Sequence, residues 1–205
     1  VELFSRMGQR ELQLNDLNLL ERWAEEIDDD VRLVKVMILR SLYYQTTGHY
    51  LNSIEFAKRA DSYITPEMPP ELITKIQNYW AAALLRLGNL GEAMERASFG
   101  LQVAKNFERR ADEARFLTIM GLIALEQKDP RLAHKYLEDS VFIARELKEP
   151  RLESTALNNL AMSEGSVKGN YELAGEYYEQ SYKIAKELGD RYQEGIALGN
   201  LGFVA

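Results

Sequence analysis

The residues that could carry out chemistry are few and scattered in this sequence. There are two histidines, His49 and His134, and no cysteine, so thiolate metal sites and cysteine nucleophiles are excluded. Neither histidine has the H-E-x-x-H spacing of a zinc site, and we predict a surface or capping role for both. The acidic run 28–30 lacks the glycine and spacing of a calcium loop and is interpreted as a solvated helix end. The sequence therefore predicts neither an enzyme nor a cofactor or metal site.

The composition is that of a folded chain that buries a core. Of its 205 residues, 46% are hydrophobic and 28% are charged, a balance typical of globular proteins. The formal net charge of -7 argues against contact with a nucleic acid backbone. No apolar run reaches the roughly 18 residues of a membrane-spanning helix, and no secretory signal is visible. We therefore expect a cytoplasmic chain that contacts neither nucleic acid nor a membrane.

Prolines and capping residues predict a chain made of helices. The prolines fall between apolar-periodic stretches, where a helical protein tolerates them. Asp129 and Glu149 are each followed by proline and are typical helix starts, and Asn89 and Asp190 stand at N-cap positions. No stretch alternates between apolar and polar residues as a strand would. The predicted fold is all-α.

A period of about 40 residues organises these helices. Equivalent turns are centred on positions 48, 88, 128 and 169, which are 40, 40 and 41 residues apart. Columns of small residues follow the turns, and small side chains let neighbouring helices approach closely. These columns are Ser53, Ala93, Ala133 and Ala174, followed by Ala60, Gly100, Ser140 and Ser181. The pattern predicts stacked helix pairs whose first helices cover about 31–46, 70–87, 110–127, 150–167 and 191–205.

These turns and columns resemble the tetratricopeptide repeat (TPR). The signature of that family is similar to Leu157–Ala161 leading into Gly169–Ala174. The resemblance covers residues 31–205 and implies a right-handed superhelical solenoid of antiparallel helix pairs. These repeats are longer than the family's usual length of about 34 residues. The fourth repeat also has one extra residue before Gly169, and we expect either a bulge or an early helix end at Gly165 to absorb it.

The N-terminal helix carries a second resemblance. Leu20-Glu21-Arg22-Trp23 precedes the first repeat, an order similar to the start of the helical-repeat region in MalT-like bacterial transcriptional regulators. These are LuxR-type, signal-transducing NTPases. The resemblance implies a sensor region attached to nucleotide-binding and DNA-binding modules, which itself neither binds DNA nor hydrolyses ATP.

A stacked array of this kind has a concave groove lined by the first helix of each pair. Counting back from the turns places the following residues on that face: Lys75, Asn78, Tyr79, Arg115, Thr118, Asn158, Asn159, Met162 and Asn200. Lys75 and Arg115 are predicted to meet a carboxylate or phosphate of a ligand. Asn159 and Asn200 have two interpretations. Their amides pair with the main chain of an extended peptide, as the TPR resemblance implies, or they bond neighbouring helices and stabilise the stack.

The predicted organisation is an N-terminal helical segment, 1–30, followed by repeats. The repeats cover about 31–69, 70–109, 110–149 and 150–189, with a partial repeat at 190–205. Leu198, Leu201, Phe203 and Val204 of the partial repeat would normally be covered by a second helix. We therefore expect the array to continue past Ala205 in a longer protein or to self-associate through this end.

Two functions remain open. The first is a non-catalytic module that binds a protein or peptide partner, or a small inducer, in the groove as the sensor region of a MalT-like regulator. The alternative is a TPR scaffold that binds an extended peptide, either free-standing or within another signalling protein.

Overall fold

A computed structural model describes the backbone of residues 10–204 and their side chains, except those of residues 166–168. This described part contains ten α-helices and no strand, as the sequence predicts. Residues 1–9 of the predicted N-terminal segment and Ala205 of the last repeat lie outside the described residues. The helices are α1 (Arg10–Glu26), α2 (Asp30–Thr46), α3 (Tyr50–Asp61), α4 (Pro70–Arg86), α5 (Leu90–Asn106), α6 (Arg110–Glu126), α7 (Pro130–Glu146), α8 (Pro150–Lys168), α9 (Tyr171–Glu187) and α10 (Arg191–Val204).

Tight turns with one left-handed residue separate most of the helices. The predicted turn positions Gly48, Gly88, Lys128 and Gly169 have φ angles of 79°, 75°, 60° and 67°. The return turns repeat this conformation at Asp28, Glu108, Lys148 and Gly189. Glycine adopts this conformation without strain, whereas Lys128 pays a steric cost for its Cβ. The turn positions predicted from the 40-residue period are therefore confirmed.

Side-chain caps start several of the helices. The carboxylates of Asp129, Asp190 and Asp29 each accept the backbone N–H three residues further on, at 3.0, 3.2 and 2.9 Å. Asp29 thus gives the acidic run before α2 a capping function beyond that of a solvated end. Asn89 instead donates from its side-chain amide to Glu92, and Glu149 makes no side-chain capping bond.

The chain divides into two compact units, residues 1–103 and 104–205, each with its own core. In the first unit, α2 packs against α1, α3 and α4. Leu17 of α1 joins Val36 and Tyr43 of α2 in one buried cluster. Where α2 and α3 approach, the hydroxyls of Ser41 and Ser53 lie 2.9 Å apart. The small side chain at position 53 therefore permits the close approach that its column predicts.

In the second unit, consecutive helices from α6 to α10 pack against one another, and α8 also contacts α6 and α10. Leu137, Leu157 and Leu160 belong to its buried core. Gly121 of α6 lies so close to Leu137 that an added Cβ would be 2.6 Å from the Leu137 Cγ. Hydroxyl pairs bond across the helix contacts at 2.9 and 3.0 Å, namely Thr118 with Ser140 and Ser154 with Ser181.

Helix α8 absorbs the extra residue of the fourth repeat by becoming longer. It has 19 residues, whereas α2, α4 and α6 have 17. It passes through Gly165 and ends at Lys168, and the N–H of the capping residue Gly169 donates to the Glu164 carbonyl. The expected early end at Gly165 is therefore wrong. Glycine costs a helix only about 1 kcal/mol, and a Cβ at Gly165 would lie 3.3 Å from that of Ala174, so close packing favours glycine inside the helix.

Helix α10 has one packed and one exposed apolar side. Leu201 and Val204 pack against a buried cluster formed by α8 and α9. Leu198 and Phe203 are 48% and 78% exposed. Of the four apolar residues expected to be uncovered, Leu198 and Phe203 are exposed and Leu201 and Val204 are packed.

Candidate binding surfaces on the first helices

Two cavities lie on either side of α2 in the first unit. The Trp23 cavity has a volume of about 230 Å³. It is lined by Leu20, Trp23, Ala24, Ile27, Arg32, Lys35 and Val36. The Pro69 cavity has a volume of about 410 Å³. It is lined by Lys35, Ile38, Leu39, Pro69, Glu71, Leu72 and Lys75. Both cavities have mainly apolar walls, and Lys35 lines both.

The cavities are edged by positive charge although the chain as a whole is acidic. Lys35 is exposed and pairs with no carboxylate of the described residues. Arg32 pairs with Asp29 at 3.1 Å, and Lys75 pairs with Glu71 on its own helix. Both pairs are largely exposed, and such pairs contribute at most about 1 kcal/mol. A carboxylate on a ligand can therefore compete for these cations.

An ion-pair network holds α1 against α2 and α3 and thereby positions the Trp23 wall. Glu21 Oε2 lies 2.6 Å from Arg40 Nη2, and Glu21 Oε1 lies 3.0 Å from Arg59 Nη2. Both guanidinium groups lie 5.0 Å from the centre of the Phe56 ring. Glu21 points inward, while Trp23 is 53% exposed at the cavity. In the N-terminal motif, Glu21 therefore anchors α1, whereas Trp23 forms part of the exposed cavity wall.

Of the residues predicted to line the groove in the first unit, one lines either of the two cavities described above. Lys75 lines the Pro69 cavity. Asn78 and Tyr79 are half-buried further along α4, and the Tyr79 carbonyl accepts a hydrogen bond from Gln45 Nε2 at 3.3 Å. Asn78 and Tyr79 thus lie apart from the cavity that Lys75 lines.

In the second unit, Arg115 is presented at the surface and Thr118 is not. Arg115 is half-exposed, and its Nη1 lies 2.7 Å from Asp112 Oδ1. Arg109 Nε lies 2.6 Å from the other oxygen of the same carboxylate. Thr118 is buried, and its hydroxyl lies 2.9 Å from that of Ser140. Thr118 therefore belongs to the contact between α6 and α7.

The asparagines of α8 and α10 differ in their hydrogen bonds. Asn200 Nδ2 donates to Asn158 Oδ1 at 3.0 Å and so links the two first helices. Asn159 and Met162 are half-buried, and Asn159 makes no hydrogen bond to another described residue. Helix α8, which carries Asn159, contacts α6, which carries Arg115.

His134 has a less exposed environment than a surface role implies. Its Nδ1 lies 2.7 Å from Oε1 of the buried Glu164, and its Nε2 lies 3.7 Å from Glu138. Desolvation, together with the charges of these two carboxylates, raises the pKa of Tyr177. His49 is exposed in its turn, where Nδ1 lies 3.1 Å from the Thr47 hydroxyl. In the part of the chain that the structure describes, no three His, Asp or Glu side chains cluster as a metal site.

Comparison with known proteins finds matches among solved structures. No protein-family model matches the chain, and no curated protein matches it. BtubC from P. vanneervenii is similar with a TM-score of 0.74 and 18% identity, covering 97% of this chain and 82% of that chain. A Rap protein complexed with Competence and Sporulation Factor has a TM-score of 0.75 and 18% identity, covering 85% and 48%. A STAND protein with a tetratricopeptide repeat sensor from Pyrococcus horikoshii has a TM-score of 0.68 and 20% identity, covering 97% and 32%.

The fold is TPR-like. The predicted all-α helical-repeat class is confirmed by these matches, which at such identities show the fold alone. The chain spans about half of the Rap protein and about a third of the STAND protein. Between residues 10 and 204, no helix has the length and apolar character needed to cross a membrane.

Lys35 is the surface residue that sequence reasoning missed. Lys75 and Arg115 were placed by counting 13 residues back from turn positions 88 and 128. The same count from Gly48 gives 48 − 13 = 35, which is Lys35. The repeat therefore contains the signal for Lys35 at the first turn, in the same register as Lys75 and Arg115 at the next two turns. The wall formed by Trp23 carries no such periodic signal because it belongs to the helix before the repeats.

Proposed function

We propose that this chain is a non-catalytic module that binds a protein or peptide partner on its first-helix surfaces. We further propose that it is the sensor region of a MalT-like bacterial transcriptional regulator. The observation that carries the binding role is the pair of apolar-walled cavities on either side of α2, edged by Arg32, Lys35 and Lys75. A surface with apolar hollows and cations can supply both burial and charge-assisted hydrogen bonds to a partner.

The sensor role is supported by the N-terminal motif and by the similarity to the STAND protein. Glu21 and Trp23 of that motif have defined tasks in anchoring α1 and in forming the Trp23 cavity. The STAND protein carries a tetratricopeptide repeat sensor, and this chain covers 32% of it. In such a sensor, a partner bound across several helices would favour one arrangement of the repeats over another by its differential affinity.

Site-specific photo-crosslinking in the source cells tests the binding role. A photoreactive phenylalanine analogue would replace Lys75 or Asn159 on first helices, and Lys135 on the second helix α7 as the matched control. We expect a discrete crosslinked partner from the first-helix positions and none from Lys135. Equal labelling at all three positions, or none at any, would refute binding on the first helices.

The alternative is a scaffold that binds an extended peptide outside a MalT-like regulator. The Asn159 amide favours it, because that amide makes no hydrogen bond to another described residue. Immunoblotting of the native polypeptide separates the regulator from a free-standing scaffold. A band several times larger than 23.5 kDa is expected for the regulator, and a band near that mass would refute the regulator and leave the scaffold.

A further inference from the structure

The two cavities beside α2 share a lysine, and this arrangement points to a specific kind of partner. On the basis of the proposed binding function, we infer that this site recognises an extended peptide segment with an acidic residue between two apolar residues. The apolar side chains enter the Trp23 cavity and the Pro69 cavity, and the acidic side chain meets Lys35.

The apolar part of the assignment rests on the cavity walls. Trp23 and Ile27 are 53% and 52% exposed, and Leu39 is 37% exposed. Each of these large side chains contributes apolar surface to one of the two cavities. Covering such surface is favourable by about 25 cal/mol per Å² removed from water. Both cavities therefore favour an aliphatic or aromatic side chain.

The acidic part rests on charge complementarity around Lys35. Lys35 lines both cavities and has no ion-pair partner among the described residues. Arg32 edges the Trp23 cavity, and Lys75 edges the Pro69 cavity. Among the residues that line the two cavities, the acidic one is Glu71 in the Pro69 cavity, and it is already paired with Lys75. A carboxylate placed between the cavities thus meets cations on α2 and α4.

The spacing of the cavities favours a chain over a compact small molecule. They flank α2, and an α-helix with its side chains is about 10–12 Å across. An extended peptide rises about 3.3 Å per residue, so roughly three residues bridge that distance. One segment can therefore fill both cavities while an intervening residue faces Lys35. A compact ligand would fill one cavity and leave the other open.

The test is a selection of random 12-residue peptides displayed on phage against the purified chain. Enriched peptides would be synthesised with a fluorescent label, and their affinities measured by fluorescence polarisation. We expect enriched sequences to contain an acidic residue between two apolar residues. Lys35→Glu should weaken their binding at least about tenfold, and a peptide with lysine in place of its acidic residue should bind Lys35→Glu better than wild type.

Controls separate charge from folding. Lys135→Glu makes the same charge change on an exposed second-helix residue and should leave binding unchanged. Lys35→Met keeps an apolar stem of similar length and should lose the preference for an acidic residue. In the Trp80→Phe variant, Trp23 is the remaining tryptophan of the two, and its emission should shift to shorter wavelength when a peptide covers it.

The outcomes distinguish this inference from the proposed function. If enriched peptides bind Lys35→Glu as well as wild type but lose affinity in Arg115→Ala or Asn159→Ala, the Lys35 site is refuted and the binding function stands. If no peptide is enriched over an unrelated control protein, the extended-peptide inference is refuted, whereas the binding function is decided by the photo-crosslinking experiment. Binding that leaves the Trp23 emission unchanged would also overturn the assignment of the Trp23 cavity.

Discussion

Replacing Glu21 by glutamine tests whether an ion-pair network anchors the N-terminal helix. The side chains of Glu21 and Arg40 are 13% and 7% exposed, so their 2.6 Å contact is largely shielded from water. The change Glu21→Gln keeps the shape and removes the charge, which leaves the Arg40 guanidinium buried without its carboxylate. Leaving a buried charge uncompensated costs about 3–5 kcal/mol.

Two further contacts of Arg40 and the exposure of Arg59 place the expected loss of stability at the lower end of this range. Arg40 also donates to Asn18 Oδ1 at 2.5 Å and stacks on Phe56, and both contacts survive the change. Arg59 is 42% exposed, so its share of the loss is below about 1 kcal/mol. We therefore expect Glu21→Gln to lower the free energy needed to detach α1 from α2 and α3 by about 3 kcal/mol.

Hydrogen exchange is the appropriate assay, because two units need not unfold in a single transition. Amide protons of α1 should exchange faster in Glu21→Gln at pH 7, while those of α7 in the second unit should not change. Glu25→Gln, an exposed position on the same helix, is the matched control and should have no effect. The double variant Glu21→Met with Arg40→Met should recover much of the loss, because apolar residues can replace a buried ion pair.

A loss below about 1 kcal/mol, or a loss equal to that of Glu25→Gln, would refute the reasoning. It would mean that α1 is held by the Leu17 cluster alone. The ion pairs of Glu21 would then not be needed to position the Trp23 wall of the cavity.

Three other changes test packing, turn strain and a titrating side chain. Gly121→Ala should lower the free energy of unfolding by about 1–3 kcal/mol, because its Cβ would lie 2.6 Å from Leu137 Cγ. A Cβ at Gly195 would have no neighbour within 4 Å, so Gly195→Ala should raise the free energy of unfolding by up to about 1 kcal/mol. Similar urea midpoints for the Gly121→Ala and Gly195→Ala variants would contradict the close packing at Gly121. Lys128→Gly should raise the urea midpoint, because its φ of 60° strains a side chain, and a lower midpoint would contradict this. Burial raises the pKa of the Asp61 carboxyl. The folded state therefore binds the carboxyl proton more tightly than the unfolded state does. Stability consequently falls as the pH rises above the ordinary titration range of aspartate. Asp61→Asn should remove that fall and raise the melting temperature at pH 7; parallel melting curves across pH 4–7 would exclude Asp61 as its source.

Much of the fold follows from local features of the sequence. Helix starts, turn positions and small-residue columns depend on residues close together in the chain, and Gly88, Asp129 and Ser140 behave as predicted. Even the length of the repeat is a local count. The helix end at Gly165 was the exception, because a glycine stops a helix only where the following residues leave the helix. Here α8 continues to Lys168, and close packing against Ala174 favours the small glycine at position 165.

The binding surfaces depend on contacts that the sequence does not encode locally. Periodicity placed Lys75 and Arg115 on the first helices, and the same period contained Lys35. It could not show that Thr118 bonds Ser140, or that Asn200 bonds Asn158 across 42 residues of sequence. The Trp23 cavity exists because α1 docks on α2. The sequence by itself thus determined the helices, their turns and the repeat, since these arise from short-range sterics and hydrogen bonds. Tertiary structure alone decided which side chains are buried, paired or open to a partner, because each of those states depends on which helix packs against which.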